Sequence, residues 1–435
     1  MMALLHANAA RAGLSARIAV VIACFTATSL TAPDASALPR MSLTAGSPCG
    51  TCHITAQGGG ARNEIGWGTE LFTRMVGFEK IGLASWDEAE SNQLLGGKVA
   101  IGVDVRTQLA RLGRPKAKAT GKQEAGFFSG FTEAEKPGLV VIPMFFQPYV
   151  TVTPTPWIAL TGGYNLSTVK LGPKEAFRYP GQSPWDAQLV LHGDAKWPQL
   201  RLGKLQPTIG VRHDDHTILI RADALEPRRP AIPAGYAEYG GELNYQPRSW
   251  LRVDAGAFMN QGLFESMNSR PVNPMGANSD GGLAWLGRVS LLPQFLDLGI
   301  NTWVGASAFG SGAYLLLNGF IGVGKNELGS LQLEMSRSTG DGAYETLNMM
   351  ALASYNVKEW LIAEVRVEQA TAKAVTKLGA RDATTRQLVM GLQFFPIPYV
   401  ELRPEYRLIL ASDSEGGLKS EYALGQYTLQ AHVFF

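Results

Sequence analysis

The chain has 435 residues, a mean hydropathy of −0.01 and a formal net charge of only +2. This charge balance excludes the strongly basic surface expected of a nucleic-acid-binding protein. After the first 37 residues, no stretch of 18 apolar residues occurs, which excludes membrane-spanning helices. The 49 glycines and the recurring short alternating segments indicate an all-β chain.

Residues 1–37 have the features of a cleaved signal peptide. Arg11 and Arg17 form a basic region, residues 18–30 form an apolar segment too short for a transmembrane helix, and residues 35–37 (Ala-Ser-Ala) offer a cleavage site. Cleavage at Cys24 as a lipoprotein is the alternative, but it would leave too few apolar residues after Arg17. The mature chain is therefore predicted to be exported.

Residues 38–97 are predicted to form a small α-helical segment that carries a c-type haem. Cys49, Cys52 and His53 form a C-x-x-C-H motif, in which two thiols bond covalently to haem c and the histidine is the proximal ligand of its iron. A zinc site is the alternative, but zinc requires four ligands and this segment offers two Cys and one His. The motif therefore favours one covalent haem c.

The sixth ligand of the iron is not fixed by this motif. His53 is the only histidine in residues 38–97, so a second imidazole would come from the barrel, where His192 is a candidate. Within the segment, Met75 is the candidate distal ligand and Met41 is the less favourable one on steric grounds. Ordinary core packing is the alternative role for Met75.

Residues 98–435 are predicted to form an outer-membrane β-barrel of about 16 antiparallel strands. Apolar and polar residues alternate with a period of two in 99–109, 331–336, 361–368 and 400–408. The apolar set would face lipid. The densely charged set would face a wet lumen, because the core of a soluble sandwich could not bury so many charges.

The strand number comes from the connections. Seven short ones alternate with eight long polar ones, and fifteen connections join sixteen strands. The short connections are predicted near 153–156, 194–198, 246–249, 293–294, 324–328, 356–359 and 395–398. The long connections are predicted near 111–138, 165–185, 206–235, 259–282, 306–312, 337–345, 369–386 and 410–420. Short turns belong on the periplasmic side, so both ends of the barrel would lie there.

The third long connection, near 206–235, follows the fifth predicted strand. In sixteen-stranded porins the loop in this position folds inward and narrows the pore. The loop contains a cluster of charged and imidazole side chains, namely Arg212, His213, Asp214, Asp215 and His216. This cluster is interpreted as a charged pore constriction or an Fe(II) contact. A solvated loop with an Asp pair that caps a turn is the alternative.

An exported chain with Cys49, Cys52 and His53 near its mature start, and with a sixteen-stranded barrel that ends in Phe435, resembles the fused outer-membrane monohaem cytochrome–porins of iron-oxidising bacteria. The resemblance implies that an extracellular donor such as Fe(II) is oxidised at haem c and that electrons pass to a periplasmic c-type cytochrome. Whether such a redox carrier acts as an iron:cytochrome c oxidoreductase stays open.

Two other functions stay open beside this one. The first is a solute or ion porin with a regulatory or docking cytochrome segment. The second is outward electron release to an extracellular acceptor. In each case the barrel would lie in outer-membrane lipid, with the haem segment on its periplasmic side or inside it, and no nucleic acid would be bound.

Overall fold

The computed structural model describes the following residues: 43, 53–55, 62, 66, 74–84, 93–112, 116–120, 139–168, 181–192, 197–211, 217–225, 230–233, 235–268, 270, 272–276, 279–292, 294–295 and 298–434. The predicted signal peptide, Cys49, Cys52, the run from Arg212 to His216, and Phe435 lie outside them. Among the described residues, no helix is both long enough and apolar enough to cross a bilayer.

Sixteen antiparallel strands of the described chain form one closed barrel, which confirms the predicted fold class. They are β1 (Val99–Leu112), β2 (Leu139–Thr155), β3 (Ile158–Tyr164), β4 (Trp185–Leu191), β5 (Gln199–Leu205), β6 (Glu238–Arg248), β7 (Leu251–Met259), β8 (Leu283–Leu291), β9 (Ile300–Ser311), β10 (Tyr314–Lys325), β11 (Gly329–Gly340), β12 (Tyr344–Lys358), β13 (Leu361–Thr376), β14 (Gly379–Phe394), β15 (Val400–Glu415) and β16 (Leu418–Phe434). Each strand pairs with the next, and β16 pairs with β1 to close the barrel.

Short elements add to this wall. The two-residue strands Gln93–Leu94 and Gln294–Phe295 pair with β1 and β9, and Lys116–Thr120 extends the pairing of β16. The connection between β7 and β8 contains the helix α1 (Gln261–Asn268). The described residues include 3-10 turns at Phe78–Ile81, Leu166–Thr168 and Leu219–Arg221.

The alternating pattern faces the way the sequence predicts. On β11, Leu331, Leu333 and Met335 are exposed on the outer face, whereas Glu334 and Ser336 point inward. The inward side chains are buried, with Glu334 only 4 % exposed, so they do not line a wet lumen as expected. Loops that enter the barrel cover them, as the contacts below show.

The seven short turns lie where they are predicted, and they share one end of the barrel with the start of β1 and the end of β16. Short turns are the periplasmic ones in barrels of this type. We call this end the periplasmic mouth.

Four of the eight predicted long connections are wrong. The connections predicted at 306–312, 337–345, 369–386 and 410–420 are tight turns at 312–313, 341–343, 377–378 and 416–417. The strands continue beyond the apolar belt, where both faces tolerate polar residues, and the outward-facing Lys373 and Asp382 are still paired across β13 and β14. Their polarity therefore reflects water contact and does not indicate a loop.

Candidate functional site

The described residues of the third long connection (206–211, 217–225, 230–233 and 235–237) fold into the barrel, and we call this connection the lumen loop. Its backbone N–H groups donate to inward-facing side chains of the opposite wall. Gly210 N donates to Ser307 Oγ at 2.9 Å, and Leu219 N donates to Glu368 Oε1 at 2.9 Å. Because these acceptors lie on β9 and β13, the loop crosses the lumen from its attachment points on β5 and β6.

A buried carboxylate fixes the second half of the lumen loop. Asp223 is 0 % exposed, accepts a hydrogen bond from Tyr344 Oη at 2.9 Å, and forms an ion pair with Arg270, which follows α1. Ser336 Oγ donates to the neighbouring Ile220 carbonyl at 2.7 Å. A buried charge is stable only when it is paired, so Asp223 and Arg270 hold the two inward-folded loops together.

An apolar cluster surrounds the lumen loop in the half of the barrel away from the periplasmic mouth. It joins Ile232 and Tyr236 of the loop to Leu263 and Met267 of α1 and to the inner face of the wall. The wall contributes small side chains where the loop approaches, namely Ala370, Ala372, Ala374 and Ala383. At this level the described side chains form a packed core and do not form a solvated pore wall.

The position of the lumen loop agrees with the sequence-based prediction, since residues 206–211 and 217–225 lie inside the barrel. The predicted constriction itself, Arg212, His213, Asp214, Asp215 and His216, lies outside the described residues. Its role as a constriction or Fe(II) contact remains a prediction.

Charged side chains of the lumen wall are paired within a strand or across neighbouring strands. Asp254 on β7 lies between Arg252 and Arg288, with an oxygen 2.8 Å from each guanidinium. Arg201 on β5 pairs with Glu242 on β6 at 2.9 Å, and both are at most 1 % exposed. The Arg201–Glu242 pair is neutral, whereas Asp254 contacts two guanidiniums, so these five side chains together carry one net positive charge.

The described residues beside the C-x-x-C-H motif contact the periplasmic mouth at the start of β5. The side-chain amide of Gln199 donates to the Ile54 carbonyl at 3.3 Å and contacts His192 Nδ1 at 3.1 Å. The Ile54 carbonyl only accepts, so the Gln199 atom that faces it is the amide nitrogen, which can only donate. The same nitrogen therefore donates to His192 Nδ1, and neutral His192 carries its proton on Nε2. Burial lowers the pKa of His192, which favours this neutral form. Ligation of iron by Nε2 would require the other tautomer and the loss of this bond.

His53 itself is 5 % exposed and pairs in an antiparallel bridge with Arg62. The guanidinium of Arg62 lies 4.7 Å from the ring centroid of Phe434 at the end of β16. Burial of the imidazole fits a proximal ligand shielded from water, as haem c attachment requires. The two thiols, Cys49 and Cys52, lie outside the described residues.

A second part of the N-terminal segment docks on the turn between β14 and β15. Met75 N donates to the Phe395 carbonyl at 2.9 Å, and Phe78 packs in an apolar cluster with Tyr399 and Phe434. The Met75 side chain is 53 % exposed. Its role as distal ligand therefore stays a prediction.

A third anchor lies on β9, where Asn301 Nδ2 donates to the Leu43 carbonyl at 3.0 Å. Contacts with β5, β9, the β14–β15 turn and β16 are spread around the wall, so the described residues of the N-terminal segment reach several sides of the mouth. The described residues of the N-terminal segment and the barrel therefore meet at this end.

One cluster at this end was missed by the sequence analysis. His432 on β16 lies between Asp104 on β1 and Glu401 on β15, with 3.1 Å from Nε2 to Asp104 and from Nδ1 to Glu401. The cluster pins the seam where the barrel closes. The signal that could have found it is strand register, because His432 lies opposite both Glu401 and Arg106.

No family model matches this sequence, and no curated protein matches it. Solved structures do match. The outer membrane channel DcaP of Acinetobacter baumannii has a TM-score of 0.50 at 10 % identity, covering 78 % of this chain and 97 % of that chain. The anion-selective porin from Comamonas acidovorans has a TM-score of 0.48 at 12 % identity, covering 78 % and 99 %. The trimer form of OmpT from Vibrio cholerae has a TM-score of 0.46 at 12 % identity, also covering 78 % and 99 %.

At these identities the likeness concerns the fold alone. The chain folds as a sixteen-stranded barrel of the outer-membrane porin type.

Proposed function

We propose that this chain transfers electrons between an extracellular donor, Fe(II) first of all, and a periplasmic c-type cytochrome. The observation that carries the proposal is the position of His53 and Ile54 at the barrel wall, directly after the cysteines of the C-x-x-C-H motif. Haem c bound through Cys49, Cys52 and His53 would supply a one-electron iron centre at this place.

The barrel sets the route by which a donor approaches. An apolar band of about 25 Å separates the two sides of an outer membrane, so a centre at the periplasmic mouth is too far from the cell surface for direct contact with a donor there. The donor must therefore enter the lumen. The lumen loop crosses this path, and residues 212–216 would select what passes.

A solute or ion porin with a docking or regulatory cytochrome segment is the second candidate, and the channel-type fold favours it. Outward electron release would use the same parts, and a strongly negative midpoint potential would favour it.

The protein is produced in cells with a functional cytochrome maturation pathway and purified in detergent. One set of measurements on this protein separates the candidate functions. For electron transfer we expect a Soret band, a covalent mass increase of one haem, and reduction of the haem by Fe(II) under anoxia within seconds. The variant Cys52→Ser, in the same barrel, should weaken the covalent attachment.

Two outcomes would contradict the proposal. If dithionite reduces the haem but Fe(II) does not, iron is not the donor. If planar bilayers show an open, ion-selective conductance that is indifferent to the redox state of the haem, the porin function is favoured. Absence of any covalent haem would leave a channel protein alone.

A further inference from the structure

The outer face of β10–β15 carries an apolar groove of about 730 Å³. Its walls are long side chains that point away from the barrel, each 40 % or more exposed: Ile321, Leu333, Met335, Met349, Val367 and Leu410. Two small residues, Gly319 and Ala351, lie in the same outward rows and form its floor. A Cβ at Gly319 would meet only one backbone oxygen at 4.0 Å, so the space above it is open.

Among the described residues that line this groove, one is a cation, and it lies at one end. Arg386 on β14 is exposed on the outer face beside Gln369 on β13, and its Nε donates to Gln369 Oε1 at 3.0 Å. The acidic groups that face outward nearby have other partners, Glu345 with Arg337 and Asp382 with Lys373. Within the described chain, the guanidinium of Arg386 therefore has donors directed at no carboxylate.

The depth of Arg386 places it at the outer boundary of the membrane. Phe394 and Leu361 pair beside Trp360 at the periplasmic end, and Arg386 pairs with Gln369 eight residues further along both strands. At about 3.4 Å per residue and a tilt of about 40°, this corresponds to about 21 Å of height within an apolar band of about 25 Å. An arginine on the lipid face is tolerated at such a boundary and is costly at the midplane.

We propose that this groove binds one outer-leaflet lipid with a phosphorylated headgroup, such as a lipid A type glycolipid. The phosphate accepts hydrogen bonds from the guanidinium of Arg386 and from the side-chain amide of Gln369, whose oxygen is already used by Arg386. The acyl chains lie along Met335 and Met349, whose flexible thioethers adapt to irregular chains. The proposal concerns the lipid-facing surface and is independent of electron transfer.

The positive charge of Arg386 favours a lipid over a second copy of the chain as the occupant of this groove. Two copies that met through this face in a two-fold arrangement would bring their Arg386 side chains toward each other, which costs free energy. A phosphate supplies the opposite charge at the same depth, where lipid headgroups lie.

The test is native mass spectrometry of the full-length protein in mild detergent, with bisphosphorylated lipid A and its dephosphorylated form as probes. We expect wild type to retain the phosphorylated lipid at least about tenfold better than the dephosphorylated one, which is the loss expected from one charge-assisted hydrogen bond. Equal retention of the two lipids by wild type overturns the proposal without the use of any variant.

Three variants locate the site. Arg386→Gln should reduce binding of the phosphorylated lipid by about tenfold and leave the dephosphorylated one unchanged. Ala351→Phe should fill the groove and weaken both. Lys373→Gln is the matched control, since it removes an outward cation that is paired with Asp382. The proposal would be refuted if Arg386→Gln bound the phosphorylated lipid as well as wild type does. It would also be refuted if a dimer of the chain were detected in place of bound lipid. Heat-modifiable migration in gels checks that each variant is folded.

Discussion

The ion pair between Asp223 and Arg270 provides the sharpest test of the lumen loop. The substitution Asp223→Asn keeps an acceptor for Tyr344 but removes the charge, leaving Arg270 buried with 1 % of its side chain exposed. Breaking a buried pair by removing one partner costs about 3–5 kcal/mol. The barrel closes through its own ladder of strands, so we expect this cost to act on docking of the loop.

Taken at the lower end, about 3 kcal/mol shifts the population of undocked loop by about a hundredfold. We expect larger and noisier conductance in planar bilayers, together with faster hydrogen exchange in residues 217–225. The double variant Asp223→Asn with Arg270→Met removes the orphaned charge and should recover part of the loss.

The control for this experiment is Glu345→Gln. Glu345 pairs with Arg337 at 2.8 Å, but both side chains are about half exposed, so the expected cost is at most about 1 kcal/mol. If Asp223→Asn behaves like Glu345→Gln in both conductance and exchange, the buried pair does not hold the lumen loop and the argument fails.

Three further predictions concern the periplasmic mouth and the turns. Burial lowers the pKa of His192, so the contact between His192 and Gln199 should be intact above about pH 6.5 and should weaken as the pH falls through the lowered pKa. The rate of proteolysis of the N-terminal segment at each pH measures this weakening. His192→Gln should abolish the pH dependence of that rate. Phe78→Ala should cost about 3 kcal/mol of docking and raise exchange in residues 74–84, while the exposed Ile81→Ala should not. Gly417→Val should slow barrel assembly, because its φ of +86° disfavours a β-branched residue; unchanged folding kinetics would contradict this.

The barrel was predictable because lipid imposes a strict rule on the outer face. Every second residue must be apolar within the belt, and backbone groups must be paired, so alternation such as 331–336 specifies strands and their faces. Where the strands extend beyond the apolar belt, every second residue no longer has to be apolar. Thr371, Lys373 and Asp382 carry no signal that separates a paired strand from a loop, which explains the four long connections that proved to be tight turns.

The candidate site was predictable in position and not in detail. Counting strands from the sequence placed the lumen loop after β5. The count was correct because it depends on the alternating residues of the apolar belt. The contacts of the loop, such as Leu219 N with Glu368, join residues 149 apart in sequence. The sequence does not indicate which residues contact the alanines of β13 or Asp223 of the loop. These contacts join residues far apart in sequence that come together only when the barrel is closed.

The separation of those contacts has a consequence for biogenesis. Hydrogen bonds from the lumen loop to Ser307, Glu368 and Tyr344 require strands that emerge from the ribosome about 100 or more residues later. The loop therefore cannot reach its final position until the carboxy-terminal half of the wall has been inserted, and a nascent barrel passes through a stage with an unobstructed interior. A chain truncated before β13 would lack both the acceptor for Leu219 and the strand that pairs with β1, so it could neither seat the loop nor close the barrel.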